Sequence, residues 1–571
     1  MNRAWRSLFA LFTCAAAACA PILGLDDLHE RAASADAGDS GSDAVADAAL
    51  PCDTNKECID REQTLSLCVA RECKRVDKTL CFEDVRPSLG VLEEPDAIVV
   101  AAFLPIATSS PFTSGPGLAY DLALHEIEEA GGILGRTHHK LAMLVCNANP
   151  SVVEHSVKHV VNDLRVPAII GAFGSGSLAN LVPNVVAEAG VFTMNPSFTN
   201  DALKFAPTNR LVWSLLGTAE DVARAYRPLL TELKDTKLQN VSSIKVALVA
   251  TTGSLDLPMA DLLEKGQRIP LGPDAGELDL SFALDINGGP PAATKGVNFR
   301  RFDLVSTESA PLDDAKVAAL KSDLIAFKPD VIIALTSEEI ESFLVDVDTA
   351  LDPIENGTAD AGDDGGPDGG IGVSRAPYWI LGPNNGHLLV KGEYNVLGNY
   401  LNTEKKFAAR RRRFMGVQYA GAVDTTERDA FRDRMILHHK EAGATGFASE
   451  NCYDSVYWLA YGIAGAGQGA PVNGVSFRDG AKTLVEGPSI RAGSPGTVQA
   501  SFEVIKQATG ATFVGALGTP DINVATQTWN SVGGVYCYLP DEKIVSPNYD
   551  VRRYKNGKID SSSYPINCTS N

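Results

Sequence analysis

The chain has 571 residues, too many for one ordinary domain but compatible with a two-lobed unit, and 45% of them are hydrophobic against 21% charged, a globular balance. Its formal net charge of −21 repels phosphate and removes the counterion-release gain on which nucleic-acid binding depends, so DNA and RNA are excluded as partners. The single basic run, Arg410 to Arg413, precedes an apolar-alternating stretch and reads as the solvated start of a strand.

Arg3 and Arg6 followed by the apolar stretch Leu8 to Ala18 read as a signal peptide, residues 1–18, since the stretch is too short to span a bilayer. Ala16-Ala17-Ala18-Cys19 then resembles the lipobox of bacterial lipoproteins, with Ala16 where Leu is usual. That resemblance implies a lipid on Cys19, a membrane contact through that anchor, and a periplasmic or cell-envelope location. Residues 19–50, rich in Ala, Asp, Gly and Ser between Ala33 and Ala49, read as a flexible tether.

Cys52, Cys58, Cys68, Cys73 and Cys81 crowd into a polar segment, 51–82, that cannot build a core unaided. In an exported protein this spacing predicts a disulfide-stapled module rather than a zinc site, because no CxxC pair is present. With Cys14 removed and Cys19 lipidated, nine of the 11 cysteines remain. The odd number predicts either a bridge from Cys81 to the main body or one free thiol. Among Cys146, Cys452, Cys537 and Cys568, the favoured pair is Cys537 with Cys568.

From about residue 96 apolar runs alternate with helical patterns: strands at 97–107, 140–146, 167–171 and 191–195, with helices at 117–135, 152–165 and 178–189 between them. A second series gives strands at 245–250, 302–305, 331–335 and 378–381, with helices near 257–265 and at 313–327. Continuous apolar strands separated by helices predict an α/β fold of two parallel sheets flanked by helices. An Asp- and Gly-rich stretch between Asp352 and Ala376 interrupts the second series. Its Asp spacing does not match a calcium loop, so it reads as a disordered surface insertion.

Ligands of parallel α/β sheets collect beyond the carboxyl ends of the strands. Those positions carry Thr108 to Gly115, Gly171-Ala-Phe-Gly-Ser-Gly-Ser177 and Asn195-Pro-Ser-Phe-Thr199. Glycines let the backbone approach a ligand, and a helix start offers N–H groups to a carboxylate; Ser177 could equally be only a helix cap. No nucleophile elbow, HExxH motif, dinucleotide fingerprint or P-loop ending is present, so the chain is not expected to be an enzyme or to need a cofactor or metal. His155 and His159, four apart, and the pairs His138-His139 and His438-His439 read as solvated surface.

Leu104-Pro105, the EIEEAGGILG helix end, Pro167-Ala-Ile-Ile-Gly171 with its Gly-Ser loop, Gly190-Val-Phe-Thr-Met-Asn-Pro196 and Cys452-Tyr-Asp-Ser-Val-Tyr-Trp-Leu-Ala460 occur in an order that resembles the branched-chain amino-acid-binding, type I periplasmic-binding-protein family. The resemblance spans about residues 96–540. It implies a bilobal domain, 96–571, crossed three times by the chain, with one lobe at 96–217 and 422–490 and the other at 218–421 and 491–571. It also implies ligand contacts from Ser175, Ser177, Ser197 and Thr199 in the first lobe and from Thr336, Ser337 and Asn384 in the second. Where amino-acid binders carry Gly-Pro-Glu, this chain has Gly382-Pro383-Asn384, which offers a ligand ammonium no countercharge. The implied function is capture of a small polar solute for an ABC permease; the alternative is an envelope sensor or scaffold acting through protein partners.

Overall fold

The computed structural model describes residues 50–104, 115–133, 139–149, 151–172, 181–196, 210–251, 256–269, 277–279, 283–304, 314–336, 341–352, 376–383, 396–402, 408–420, 426–440, 449–525, 527–529, 532–537, 552–555 and 558–559. The signal peptide and tether, Cys19, the acidic insertion beyond Asp352 and Cys568 therefore lie outside the described residues, and with Cys568 the proposed Cys537 pair.

The cysteine-rich segment folds as helix α1 (Asn55–Glu62) packed on a hairpin of β1 (Ser66–Val69) and β2 (Glu72–Arg75), followed by α2 (Leu89–Glu93). Thr54 caps α1 by accepting from the Glu57 N–H at 3.2 Å. Disulfide Cys58–Cys73 staples the hairpin to the helix, Cys52–Cys68 joins the hairpin to the segment before the helix, and Cys81–Cys146 ties the segment to the main body. Cys452 is a free, buried thiol, so both outcomes of the odd count occur together. Leu65, Leu67, Val76, Val85, Val91 and Leu92 share one core with Ala101, Phe103, Ala142 and Leu144. This core is not independent of the body, as so short a segment requires.

The first series supplies β3 (Ile98–Leu104), α3 (Gly115–Glu129), β4 (Leu141–Asn147), α4 (Val153–Lys158, continued by a π turn to Asp163), β5 (Ala168–Ala172), β6 (Phe192–Asn195) and β7 (Val212–Ser214). Along β3, Val100, Ala102 and Leu104 point into one core while Ala101 and Phe103 point into the other. Both faces are dry, which is why the run carries no polar alternation. Gly131 and Gly132, at φ 95° and 84°, end α3 in the left-handed conformation, the helix stop that the AGG sequence predicted.

The second series supplies α5 (Ala219–Thr236), β8 (Val246–Thr251), α6 (Asp256–Lys265), β9 (Gln267–Ile269), β10 (Glu277–Asp279), β11 (Phe299–Leu304), α7 (Asp314–Phe327), β12 (Val331–Leu335), α8 (Glu341–Leu351), β13 (Tyr378–Leu381), α9 (Val396–Asn402), α10 (Ala408–Arg411) and β14 (Phe414–Ala420). The chain then returns through α11 (Thr426–His439), α12 (Ser449–Gly465), α13 (Gly474–Ala481), β15 (Ser489–Arg491), α14 (Pro495–Gln507), β16 (Thr512–Val514), β17 (Ile522–Asn523) and β18 (Thr528–Trp529), and crosses again to β19 (Val532–Cys537), β20 (Arg552–Lys555) and β21 (Lys558–Ile559).

Among the described residues the first sheet runs β17-β18-β7-β6-β5-β3-β4 and the second β11-β8-β12-β13-β14-β19-β20-β21. The five parallel strands of each series adopt one order, second-first-third-fourth-fifth, so each sheet has a topological switch point: between β3 and β5 in one, and between β8 and β12 in the other.

Three expectations need correction. Residues 491–529 stay with the first sheet, because β18 pairs in parallel with β7 and α14 packs on α12; the last crossing comes after Trp529, not at 491. The basic run does lead into a strand, but only Arg412 of its four arginines is exposed. Arg410 and Arg411 are buried, and Arg413 donates to both oxygens of the fully buried Asp348 at 2.7 and 3.1 Å and to Asp352 at 3.0 Å. Trp379 and Tyr400 complete the set around Asp348 at 2.8 and 3.0 Å, so the charges are paired rather than hydrated. Nor are all the histidines surface groups. His159 accepts from the Asp77 N–H at 3.1 Å, joining α4 to the cysteine-rich segment, and His439 is packed on α3 with only 9% of its side chain exposed.

Candidate functional site

The strand carboxyl ends of the two sheets define the candidate site. In the first sheet, Gly171 at the end of β5 has φ 22°, and a Cβ there would stand 2.2 Å from the Pro196 ring. Only glycine lets the roots of the two loops predicted to bind ligand, 172 onward and 196 onward, approach this closely. Asn195 is buried, and its side chain reaches Ser214 Oγ at 3.4 Å. The Asn195 carbonyl accepts from the Leu215 N–H at 2.9 Å.

These bonds hold the first crossing between the sheets. Ser214 Oγ accepts from the Leu216 N–H at 3.2 Å, and Asn451 on α12 donates to the Leu215 carbonyl at 3.0 Å. On the far side Thr218 and Asp221 form a capping box, with the Thr218 N–H reaching Asp221 Oδ2 at 2.8 Å. A short connector anchored at both ends can pivot without unravelling either lobe.

In the second sheet Thr336 follows β12 and is buried. Its neighbour across the switch point is Thr251, the buried last residue of β8, one step beyond the registered pair Leu335–Ala250. Thr251 did not figure in the sequence reading, although Thr251-Thr252-Gly253-Ser254 carries the same small-polar signal after an apolar run as the Gly-Ser loop. The Gly382-Pro383 root is fixed by two buried hydroxyls: Tyr536 donates to the Gly382 carbonyl at 3.1 Å and Tyr226 to the Leu381 carbonyl at 3.5 Å. Of the predicted contacts, Ser175, Ser177, Ser197, Thr199, Ser337 and Asn384 lie outside the described residues.

Two motifs behind the resemblance serve packing. Glu126, from EIEEAGG, accepts from Tyr453, from Tyr457 at 2.7 Å and from Arg434 at 2.8 Å. Burial raises its carboxyl above the usual range against the pull of Arg434 and the two phenols. Asp454, the acid of the Cys452-Tyr-Asp motif, accepts the Ala516 and Leu517 N–H groups at 2.7 and 2.9 Å. Both acids fasten α12 to its lobe.

Solved structures resemble this arrangement. A solute-binding protein of an ABC transporter from R. palustris, in complex with 4-hydroxybenzoate, aligns over 80% of this chain and 97% of its own at 13% identity and TM-score 0.50. One from Rhodopseudomonas palustris HaA2 in complex with p-hydroxybenzoic acid aligns over 81% and 98% at 13% identity and TM-score 0.50. The chain has the two-lobed fold of the type I periplasmic binding proteins. A branched-chain amino acid transporter substrate-binding protein from Streptococcus pneumoniae, in complex with isoleucine, aligns over 80% and 99% at 15% identity and TM-score 0.48. No family model and no curated protein matches the sequence. The type I fold accounts for the paired sheets and the crossings, and the Cys81–Cys146 bridge staples the cysteine-rich segment to the first lobe. No helix among the described residues is long and apolar enough to cross a membrane.

Proposed function

We propose that the chain is a lipid-anchored solute receptor of the bacterial envelope that closes its two lobes on a small carboxylate and presents it to an ABC permease. The reading is supported foremost by the matched switch points of the two sheets, the place where α/β folds collect ligands. The cleft loops follow them in sequence: the Gly-Ser loop with Ser175 and Ser177 after β5, Ser197 and Thr199 after β6, and Thr336 and Ser337 after β12. These hydroxyls suit a carboxylate. Asn384, replacing the acid that would neutralise an ammonium, favours a carboxylate without an amine, such as an aromatic acid, over an amino acid. Cys19 carries the anchor, and no group of the site is assigned to catalysis.

The test is a thermal-shift screen against aromatic carboxylates and aliphatic amino acids, since a ligand of the folded state alone raises Tm. Calorimetry of the hit with Ser175→Ala/Ser177→Ala should show affinity reduced by about 1–3 kcal/mol. No Tm shift across the panel would sink solute capture; unchanged affinity would remove the Gly-Ser loop from the site. The sensor or scaffold reading is favoured by one feature, the covalent fastening of the cysteine-rich segment to the first lobe. Crosslinking in intact cells separates the two, a permease supporting delivery and other envelope proteins supporting the scaffold.

A further inference from the structure

The last turn of α11 lays His438 and His439 against α3, where Asp121 and His125 stand one turn apart on the facing side. His439 Nε2 is 2.9 Å from the Leu118 carbonyl oxygen. A carbonyl only accepts, so Nε2 carries the proton and Nδ1 presents its lone pair. That nitrogen faces Asp121 Oδ2 at 3.9 Å, and His438 Nε2 approaches the same oxygen at 3.4 Å. A metal ion bound there would take the His439 Nδ1 lone pair, His438 Nε2 and Asp121 Oδ2 together.

The other Asp121 oxygen is held by Arg86 at 3.2 Å, and Arg86 also donates to Asp84 at 2.7 Å. This clamp fixes the carboxylate with Oδ2 turned to the histidines, while Asp84 offsets the guanidinium charge. The three donor atoms lie within 4.8 Å of one another. Tetrahedral zinc with bonds of about 2.0–2.1 Å places its ligands about 3.3 Å apart, so His438 and Asp121 are already near that spacing while His439 must close on Asp121 from 3.9 Å. Only 27%, 9% and 16% of the His438, His439 and Asp121 side chains are exposed. The His125 ring packs 4.7 Å from that of His438 and its Nε2 is paired with Glu129 at 3.1 Å. The Leu118 carbonyl, bonded to the outer nitrogen of His439, is the supporting contact that metal-bound histidines use.

We propose that Asp121, His438 and His439 form a binding site for a divalent transition metal of the zinc class, clamping α11 to α3. Imidazole and carboxylate donors suit Zn²⁺ and exclude the hard, all-oxygen ions. The site shares no residue with the proposed solute contacts.

The full chain, prepared without a polyhistidine tag and stripped with EDTA, is titrated with Zn²⁺ by calorimetry and with Co²⁺ by visible absorption. One-to-one binding is expected, with Co²⁺ bands of nitrogen and oxygen coordination. His438→Ala and Asp121→Asn should each reduce affinity at least about tenfold, whereas His155→Ala on α4 should leave it unchanged. Asp121→Asn keeps the side-chain shape, and the melting temperature of each stripped variant verifies that it is folded. Absence of one-to-one binding, or binding that survives His438→Ala/His439→Ala, overturns the assignment.

Discussion

Tyr536 lies flat across Gly416, its registered partner on the neighbouring antiparallel strand, and carries its hydroxyl over to the Gly382 carbonyl. A Cβ on Gly416 would stand 2.2 Å from the phenol ring. The strand that enters the second sheet after the last crossing thereby positions the root of the Gly382-Pro383-Asn384 loop.

Gly416→Ala should displace that ring at a cost of about 1–3 kcal/mol, the usual range for overpacking. Tyr536→Phe should lose about 1 kcal/mol for the hydrogen bond. Urea unfolding measures both. If the two losses add fully in the double variant, the glycine and the phenol are uncoupled and the positioning role fails.

The Cys81–Cys146 bridge closes a loop of 65 residues, the longest among the disulfides of the described residues. Residues 81–86 lie along β4, the edge strand of the first sheet, where Phe82 and Arg86 donate to Val145 and Met143 at 2.9 and 3.1 Å. Covering an edge removes a template for unwanted strand pairing. Cys81→Ala/Cys146→Ala should cost about 4 kcal/mol on a loop-entropy basis and speed hydrogen exchange at Phe82 and Met143. Unchanged exchange there would mean that the backbone pairing holds the edge unaided.

Asp348 is fully buried and receives bonds from Arg413, Trp379 and Tyr400. Asp348→Ala leaves the guanidinium of Arg413 with Asp352 and the Pro377 carbonyl, and the expected loss is about 3–5 kcal/mol in denaturant unfolding. A loss below 1 kcal/mol, the level of a surface pair, would show that the cluster is hydrated in solution.

Burial pushes the Asp454 carboxyl up to about 8, despite the two backbone N–H groups that favour its charge. The folded state therefore takes up a proton between pH 4 and 8. This contribution to stability is complete below the unfolded carboxyl pKa of about 4 and is lost as the pH rises through 8. Asp454→Asn leaves the Leu517 N–H without its acceptor and should be less stable by about 1–3 kcal/mol. Its stability, however, lacks this decline. The wild-type minus variant difference in unfolding free energy, measured from pH 4 to 8, should fall as pH rises; a rising difference would show that the carboxylate is charged in the fold.

The sequence by itself determined the layered α/β architecture, because strands such as Ile98–Leu104 and Val331–Leu335 are buried on both faces and must be apolar throughout. It also made the disulfide module legible, since a short polar segment has few other means of staying folded, but left open whether Cys81 bridges to the body or a thiol stays free. Only tertiary structure decided what lies far apart in the chain. The acids that neutralise Arg413 are Asp348 and Asp352, 65 and 61 residues away, so a run of four arginines read locally as a solvated surface. Residues 491–529 belong to the first lobe through strands of two or three residues, too short to carry a period. His438 and His439 meet Asp121 across more than three hundred residues, a meeting set by the packing of α11 on α3 and marked by no local pattern.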